Sequence, residues 1–216
     1  SSHELAQGYK ETEDPSITVR FKVEGEENTF ILVWTTTPWT LPSNLALAVG
    51  ADIDYSYCES DGETLIVAEA LREAVFRDIE HKVIKTVKGA ELIGMRYERL
   101  FDYLEAEGDN VFTVMAADFV STEDGTGIVH TAPAYGVDDL AFGQANGLPV
   151  VHGVGLDGNF LDEVEPVPSP LGPHDRHGAE LPGRGLQVAG TPDDSDEPCD
   201  LRSRALHGQY TPLPLL

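Results

Sequence analysis

From residue 34 the chain reads Trp34-Thr35-Thr36-Thr37-Pro38-Trp39-Thr40-Leu41-Pro42-Ser43-Asn44, directly after the apolar run Phe30-Ile31-Leu32-Val33. A strand that ends in a cluster of hydroxyls between two indoles can form a small pocket with an apolar wall and a hydrogen-bonding floor. Threonine and tryptophan are also common in ordinary strands, which a proline ends. On residue types alone, the ordinary strand is the commoner explanation.

A second block, Gly125-Thr126-Gly127-Ile128-Val129-His130-Thr131-Ala132-Pro133-Ala134-Tyr135-Gly136-Val137-Asp138-Asp139, changes that balance. The two blocks resemble the pocket motifs of the editing domain of isoleucyl-tRNA synthetase, in the family's order and at about its separation. The segment Gly8-Tyr9-Lys10-Glu11, followed by Asp14-Pro15-Ser16, resembles the approach to that domain. The related valyl and leucyl enzymes typically carry an arginine inside the threonine motif. This chain has Thr37-Pro38-Trp39 there, which favours the isoleucyl branch.

The composition fits a folded protein without a membrane contact. Its 216 residues suffice for one domain with a sizeable core, or for a domain plus an appendage. No apolar run approaches the roughly 20 residues of a membrane helix, and the first residues lack the charged-then-apolar pattern of a signal peptide, so we expect neither. Cys58 and Cys199 are isolated, so we expect no disulfide framework, which fits a reducing compartment such as the cytoplasm.

The charge is strongly acidic, with 38 Asp and Glu against 14 Lys and Arg and a formal net charge of −24. A free-standing tRNA-binding protein would show a basic patch. The resemblance implies that the tRNA body is held elsewhere in the synthetase, while this domain receives the aminoacylated 3′ end of tRNA(Ile) with its valine moiety. We therefore expect weak intrinsic affinity for tRNA, and a monomer attached to the remainder of the synthetase. Solubility or a salty habitat would explain the acidity equally well.

The pattern of the first two thirds predicts many strands and few helices. It indicates an α+β fold with a barrel-like, mainly antiparallel β core, and the resemblance implies the same architecture. The predicted strands are 17–23, 29–35, 45–49, 55–59, 64–68, 82–87, 95–101, 111–116, 127–131 and 150–152. The predicted helices are 69–79 and 137–146.

The last quarter differs in composition from the rest. Residues 166–216 hold nine of the fourteen prolines and a single aromatic residue, Tyr210. Such a stretch buries little apolar surface, and no family pattern is recognisable after about Glu165. We therefore predict an editing domain over 1–165 and a proline-rich, poorly ordered tail over 166–216.

The resemblance implies an editing reaction. Isoleucine and valine differ by one methylene. An apolar pocket gains only about 1–3 kcal/mol of discrimination from that difference, and this same synthetase is the standard example of the limit. A second site must then hydrolyse misattached valine. Asp138 and Asp139 would suit the first turn of the following helix. By resemblance, however, Asp139 is the family's essential acid and binds the α-ammonium group of the substrate.

The other predicted site residues follow from the same resemblance. His130 ends an apolar strand, where a histidine is often a satisfied core residue, but in the family it walls the side-chain pocket. Thr35, Thr36 and Thr37 would bind the terminal adenosine, orient water or contact the ester, and Trp34 or Trp39 would line the pocket or belong to the core. No Ser-His-Asp or Cys-His arrangement is legible. Hydrolysis would therefore use a positioned water.

We predict no metal and no cofactor for this domain. The spacing of His174, His177, Cys199 and His207 matches no zinc pattern. The synthetase motifs that bind ATP are absent, so ATP would belong to the catalytic domain, which lies outside this chain. The leading prediction is an editing hydrolase for valyl-tRNA(Ile), with valyl-adenylate as a further substrate. The alternative is an inactive fragment or non-catalytic module that binds the aminoacylated 3′ end.

Overall fold

A computed structural model of the chain describes residues 16–156 and 158–164 together with one short strand further on. The strands are β1 (Ile17–Lys22), β2 (Thr29–Thr35), β3 (Ala46–Val49), β4 (Asp54–Ser60), β5 (Glu63–Ala68), β6 (Lys82–Lys88), β7 (Thr113–Ala116), β8 (Ile128–Thr131) and β9 (Leu186–Gln187). The α-helices are α1 (Arg72–Phe76) and α2 (Val137–Ala145), and 3₁₀ helices span Pro38–Ser43, Glu69–Leu71, Gly89–Glu91 and Asp162–Val164.

The larger sheet has the order β6-β4-β5-β2-β1-β9. Its pairs are antiparallel except β2 and β5, which run parallel. Strand β1 shows why these segments form strands: Ile17, Val19 and Phe21 alternate with polar residues and are all buried. A period of two places these three side chains on one face of the sheet, against the core.

The smaller sheet has the order β7-β3-β8, with β3 parallel to β7 and antiparallel to β8. Strand β3 is buried at all four positions, as expected for a central strand covered on both faces. Leu47 of β3 lies opposite His130 of β8. One apolar cluster contains Val33 of β2 together with Leu47 and Ile128 of the smaller sheet. The end of β2 is thereby packed beside β8.

The predicted α+β class is confirmed, and most strand pairs are antiparallel as expected. The strands within the described residues do not close into a barrel. They form two open mixed sheets, since β6 and β9 lie at the edges of the larger sheet and β7 and β8 at those of the smaller. A closed barrel would require each edge strand to pair with another.

Two predicted strands are absent. In 95–101 only isolated bridges form, Val23 with Tyr97 and Arg96 with Thr113, because the segment crosses between β1 and β7 instead of following one of them. In 150–152 no ladder forms. The amides of Gly153 and Val154, just beyond it, donate instead to the Tyr135 hydroxyl, at 2.7 and 2.9 Å.

The predicted helix 69–79 is shorter than expected. It is a 3₁₀ turn over Glu69–Leu71 followed by α1, which ends at Phe76; the C-cap residue Arg77 has φ 44°. The predicted helix 137–146 is confirmed as α2. No helix in the described part of the chain has the length and apolarity that crossing a bilayer requires.

The predicted division at residue 165 stays a prediction. Residues 165–216 lie outside the described residues, apart from β9, whose backbone pairs with β1 at Val19 and Thr18.

Candidate functional site

The two sequence blocks meet in space where β2 ends. Gly125 has φ +73°, and a Cβ built there would lie 2.9 Å from Cε3 of Trp34. A side chain at this position would therefore displace the indole, and only glycine combines this backbone conformation with this close approach. Trp34 is half-buried against the second block. The junction of the two blocks forms the candidate site.

A chain of side-chain hydroxyls runs from β2 into the 3₁₀ helix Pro38–Ser43. Oγ1 of Thr35 accepts the amide N–H of Thr37 at 3.1 Å and lies 3.2 Å from Oγ1 of Thr37. Oγ1 of Thr37 lies 3.3 Å from that of Thr40, which donates to the Thr37 carbonyl at 2.8 Å. We call these three side chains the hydroxyl chain. It holds the first and third threonines of the predicted triplet in one hydrogen-bonded network.

His130 joins this network from β8. Its Nε2 lies 2.8 Å from Oγ1 of Thr40, and its Nδ1 lies 3.4 Å from the amide nitrogen of Asn44. The residue is 8% exposed, and burial lowers the pKa of its imidazole to about 4. At neutral pH the imidazole is therefore uncharged, because burial in a low-dielectric surrounding disfavours the cation. A neutral, doubly hydrogen-bonded ring is suited to a fixed wall and not to donating a proton as an imidazolium.

Asn44 and Tyr97 complete the network on its buried side. The Tyr97 hydroxyl donates to Oδ1 of Asn44 at 2.7 Å, and Nδ2 of Asn44 donates to the Ala46 carbonyl at 3.0 Å. Tyr97 is 2% exposed, and burial raises the pKa of its hydroxyl well above its usual range. The hydroxyl therefore stays protonated and keeps its role as donor.

Asp139 lies on the first turn of α2, and its carboxylate reaches back to the segment after β8. Its Oδ1 accepts the Ala132 amide N–H at 2.9 Å. A Cβ at Gly136 would lie 2.5 Å from Oδ2, so glycine leaves the space that this oxygen occupies. Burial raises the pKa of the carboxyl, and the Ala132 amide opposes that shift. The N-cap of α2 is Gly136, without a side-chain capping bond, and Asp138 is exposed.

The remaining predicted residues differ in exposure. Thr36 is exposed at the end of β2, while Trp39 is half-buried in the 3₁₀ helix. The structure thus joins Thr35, Thr37 and His130 in one hydrogen-bonded group. Asp139 is bonded to the backbone amide of Ala132, two positions after His130 in the sequence.

Sequence reasoning missed three members of the network: Thr40, Asn44 and Tyr97. Thr40 and Asn44 belong to the threonine stretch 34–44, so their position in that motif could have identified them as site residues. Tyr97 lies in a segment whose alternating pattern predicted only a strand.

Among the residues that the structure describes, other reactive groups give no competing site. Cys58 lies inside β4, fully buried, and burial raises the pKa of its thiol to about 11, which disfavours a nucleophilic thiolate. Across residues 16–156 and 158–164, no group of three or more His, Cys, Asp or Glu side chains is placed to hold a metal ion. The rejected cluster of His174, His177, Cys199 and His207 lies outside the described residues.

Comparison with known proteins finds relatives among the isoleucine–tRNA ligases. It is 52% identical over 166 residues to an isoleucine–tRNA ligase from Clostridium novyi, covering 77% of this chain and 16% of that protein. It is 48% identical over 164 residues to the isoleucine–tRNA ligase of Picrophilus torridus, covering 76% and 16% respectively. The chain thus spans about a sixth of the length of the curated relatives it matches.

A solved structure supports the fold. The crystal structure of GlLeuRS-CP1, a leucyl-tRNA synthetase domain, superimposes with a TM-score of 0.52 at 17% identity, covering 60% of this chain and 59% of that one. At this identity the likeness concerns the fold alone. No protein-family model matches the chain.

Proposed function

We propose that this chain, which belongs to the editing domains of the isoleucyl-tRNA synthetases, hydrolyses valine from mischarged tRNA(Ile). The observation that carries the proposal is the junction of the two motifs: the hydroxyl chain of the threonine motif is hydrogen-bonded to His130 of the second motif. Two segments that are about ninety residues apart in the sequence thus form one polar group at the end of a strand.

The substrate would be held by its charge and its size. Asp139 carries a half-buried carboxylate, and a charge-assisted bond from it to the α-ammonium group would favour aminoacyl esters over plain esters. His130 is immobilised on both ring nitrogens, so it could limit the length of the bound side chain. A pocket that ends at a fixed ring would accept valine and exclude the longer isoleucine.

Hydrolysis would proceed by attack of a positioned water on the ester carbonyl. The neutral state of His130 argues against its acting as a general acid, and the thiol of Cys58 is buried away from solvent. Threonine hydroxyls and backbone amides at the end of β2 would orient the water and stabilise the developing oxyanion. Exposed Thr36 would be available to contact the terminal adenosine.

The domain would act as part of a longer synthetase in the cytoplasm, without a cofactor of its own. ATP would be used by the separate catalytic domain, and the tRNA body would be bound there too. The chain as a whole has a formal net charge of −24, which would oppose binding of the tRNA body by this domain alone. The intact synthetase would therefore bring the 3′ end to this site.

The test is deacylation of valyl-tRNA(Ile) and of isoleucyl-tRNA(Ile) by the purified chain, measured as the loss of the radiolabelled amino acid from the tRNA. We expect valine to be released and isoleucine to be retained. Because weak tRNA affinity would limit the rate, the assay should be run over a wide range of chain concentration. Protection of the aminoacylated end without release of valine would instead support the alternative, a non-catalytic module.

A further inference from the structure

Helix α2 begins at a glycine for which the backbone gives no reason. Gly136 is the N-cap of the helix, with φ −153° and ψ 146°, an extended conformation that any residue adopts. Serine, threonine, aspartate and asparagine are the usual N-cap residues, because their side chains accept a backbone N–H of the first turn. Gly136 leaves that bond unmade. The space around its Cα supplies the reason for a glycine.

That space is filled by the carboxylate of Asp139. A Cβ at position 136 would lie 2.5 Å from Oδ2, 3.3 Å from Cγ and 3.5 Å from Cβ of this side chain. The contact with Oδ2 is by far the shortest. Relieving it to about 3.3 Å, where C–H···O contacts begin, requires a movement of roughly 0.8 Å. A methyl group at position 136 is thus opposed chiefly by one oxygen atom.

The backbone of Gly136 is anchored, so the movement would fall on the carboxylate. The Gly136 carbonyl accepts the Leu140 N–H at 2.9 Å, and the turn before it is closed by the bond from Tyr135 N–H to the Ala132 carbonyl at 3.0 Å. Rotation about the Cβ–Cγ bond of Asp139 moves both of its oxygens by the same amount. Oδ1 would therefore leave its position 2.9 Å from the Ala132 nitrogen.

We propose that Gly136 is a positioning residue for the carboxylate of Asp139. Because position 136 has no Cβ, Oδ1 accepts the Ala132 N–H while Oδ2 stays in place for the α-ammonium group of the aminoacyl ester. The two oxygens then have separate tasks, since Oδ1 orients the group and Oδ2 binds the charge. The binding part of this proposal rests on the proposed function, whereas the steric coupling between positions 136 and 139 does not.

The chain contains a matched control in Gly50. Its φ, like that of Gly136, lies outside the left-handed region. A Cβ there would lie 2.4 Å from Cδ1 of Ile53, so it too would displace the end of one flexible side chain. Ile53 packs against the apolar clusters and carries no charge. Gly50→Ala therefore reproduces the steric conflict without moving a carboxylate.

The steric part is tested by a double-mutant cycle in urea denaturation, with Gly136→Ala made in the wild type and in Asp139→Ala. We expect the change in urea midpoint to be more negative in the wild type, because Asp139→Ala lacks Oδ2 and Cγ and keeps only a Cβ at the ordinary contact distance of 3.5 Å. Gly50→Ala should change the midpoint equally in both backgrounds. The ¹⁵N–¹H signal of the Ala132 amide should shift in Gly136→Ala and stay in place in Gly50→Ala.

The binding part is tested with two substrates that differ at the α-carbon: valyl-tRNA(Ile) and its analogue with a hydroxyl in place of the α-ammonium group. The wild type and Gly50→Ala should both prefer the valyl ester. In Gly136→Ala we expect kcat/KM for the valyl ester to fall roughly ten- to a hundredfold, mainly through KM, because a misplacement of about 1 Å can cost that much. The hydroxy analogue should be little affected. A loss of packing alone would lower kcat/KM for both substrates alike.

Two results would overturn the proposal: a preference for the valyl ester in Gly136→Ala equal to that of the wild type, or the same effect of Gly136→Ala on the urea midpoint in both backgrounds. A wild type that hydrolyses neither ester counts against the proposed function instead. Calorimetry with a valylamide of adenosine, in which nitrogen replaces the ester oxygen, and with its hydroxy counterpart then measures the same preference as a ratio of Kd. Binding of neither probe would refute the binding part, and the urea cycle would still decide the steric part.

Discussion

Replacing Asp139 tests whether its carboxylate binds the substrate or only ties the loop after β8. In Asp139→Asn the amide oxygen can still accept the Ala132 N–H that Oδ1 accepts at 2.9 Å, but the negative charge is lost. Asp139→Ala loses both. A hydrogen bond to a charged group is worth about 1.5–3 kcal/mol, so loss of an ammonium contact should lower kcat/KM by roughly ten- to a hundredfold in both variants.

The assay is deacylation of valyl-tRNA(Ile), with urea denaturation of the same proteins. We expect the Asn variant to keep most of its stability and the Ala variant to lose about 1 kcal/mol, because only the latter leaves the Ala132 amide without its acceptor. If Asp139→Asn hydrolyses valyl-tRNA(Ile) at the parental rate, the charge has no part in binding. The residue would then serve only to hold the loop against α2.

Three further predictions concern the site. His130→Ala should shift discrimination toward isoleucyl-tRNA(Ile) by about 1–3 kcal/mol, measured as the ratio of the two deacylation rates; an unchanged ratio would exclude a pocket wall. Because burial lowers the pKa of His130 to about 4, below its unfolded value, stability should fall as pH drops from about 6.5 to about 4. This pH-dependent fall in stability, roughly 2–4 kcal/mol, should be absent from His130→Gln when the urea midpoints of the two proteins are compared. An equal fall in both proteins would show that His130 does not cause it. Gly125→Ala should destabilise more than Gly62→Ala, since both have positive φ but only the former meets Trp34, and equal unfolding free energies would refute that contact.

Several elements could be predicted closely from local pattern. Strand β2 has the predicted bounds, and β1, β8 and α2 differ from theirs by one residue at one end. In these segments the spacing of the apolar residues matches the face that is buried. Neighbouring residues alone therefore indicate where each element begins and ends. The threonine stretch was less predictable. Pro38 and Pro42 were expected only to end a strand, but they lie within a 3₁₀ helix that turns Thr40 toward His130.

The segment 95–101 shows how a local pattern misleads. Its alternation predicts a strand, yet its backbone is shared between two partners, with Tyr97 donating to the Phe112 carbonyl and Glu98 to that of Lys22. A strand requires a neighbour along its whole length, and the pattern of a segment does not contain that neighbour. The same limit explains why a barrel-like core was predicted where the described strands form two open sheets. Closure of a barrel depends on which edge strands meet, and the pattern of one segment does not specify that.

By itself the sequence determined the family, the α+β class and the residues of the two motifs, because these depend on residue identity and on short-range periodicity. Only the tertiary structure decided how the motif residues act on one another. The bonds from Asn44 to His130 and to Tyr97 join residues 86 and 53 positions apart. They exist because β3 pairs with β8 and because Tyr97 is packed between Phe21 and Phe112. Hydrogen-bond direction depends on the geometry of such distant partners, which no local pattern specifies.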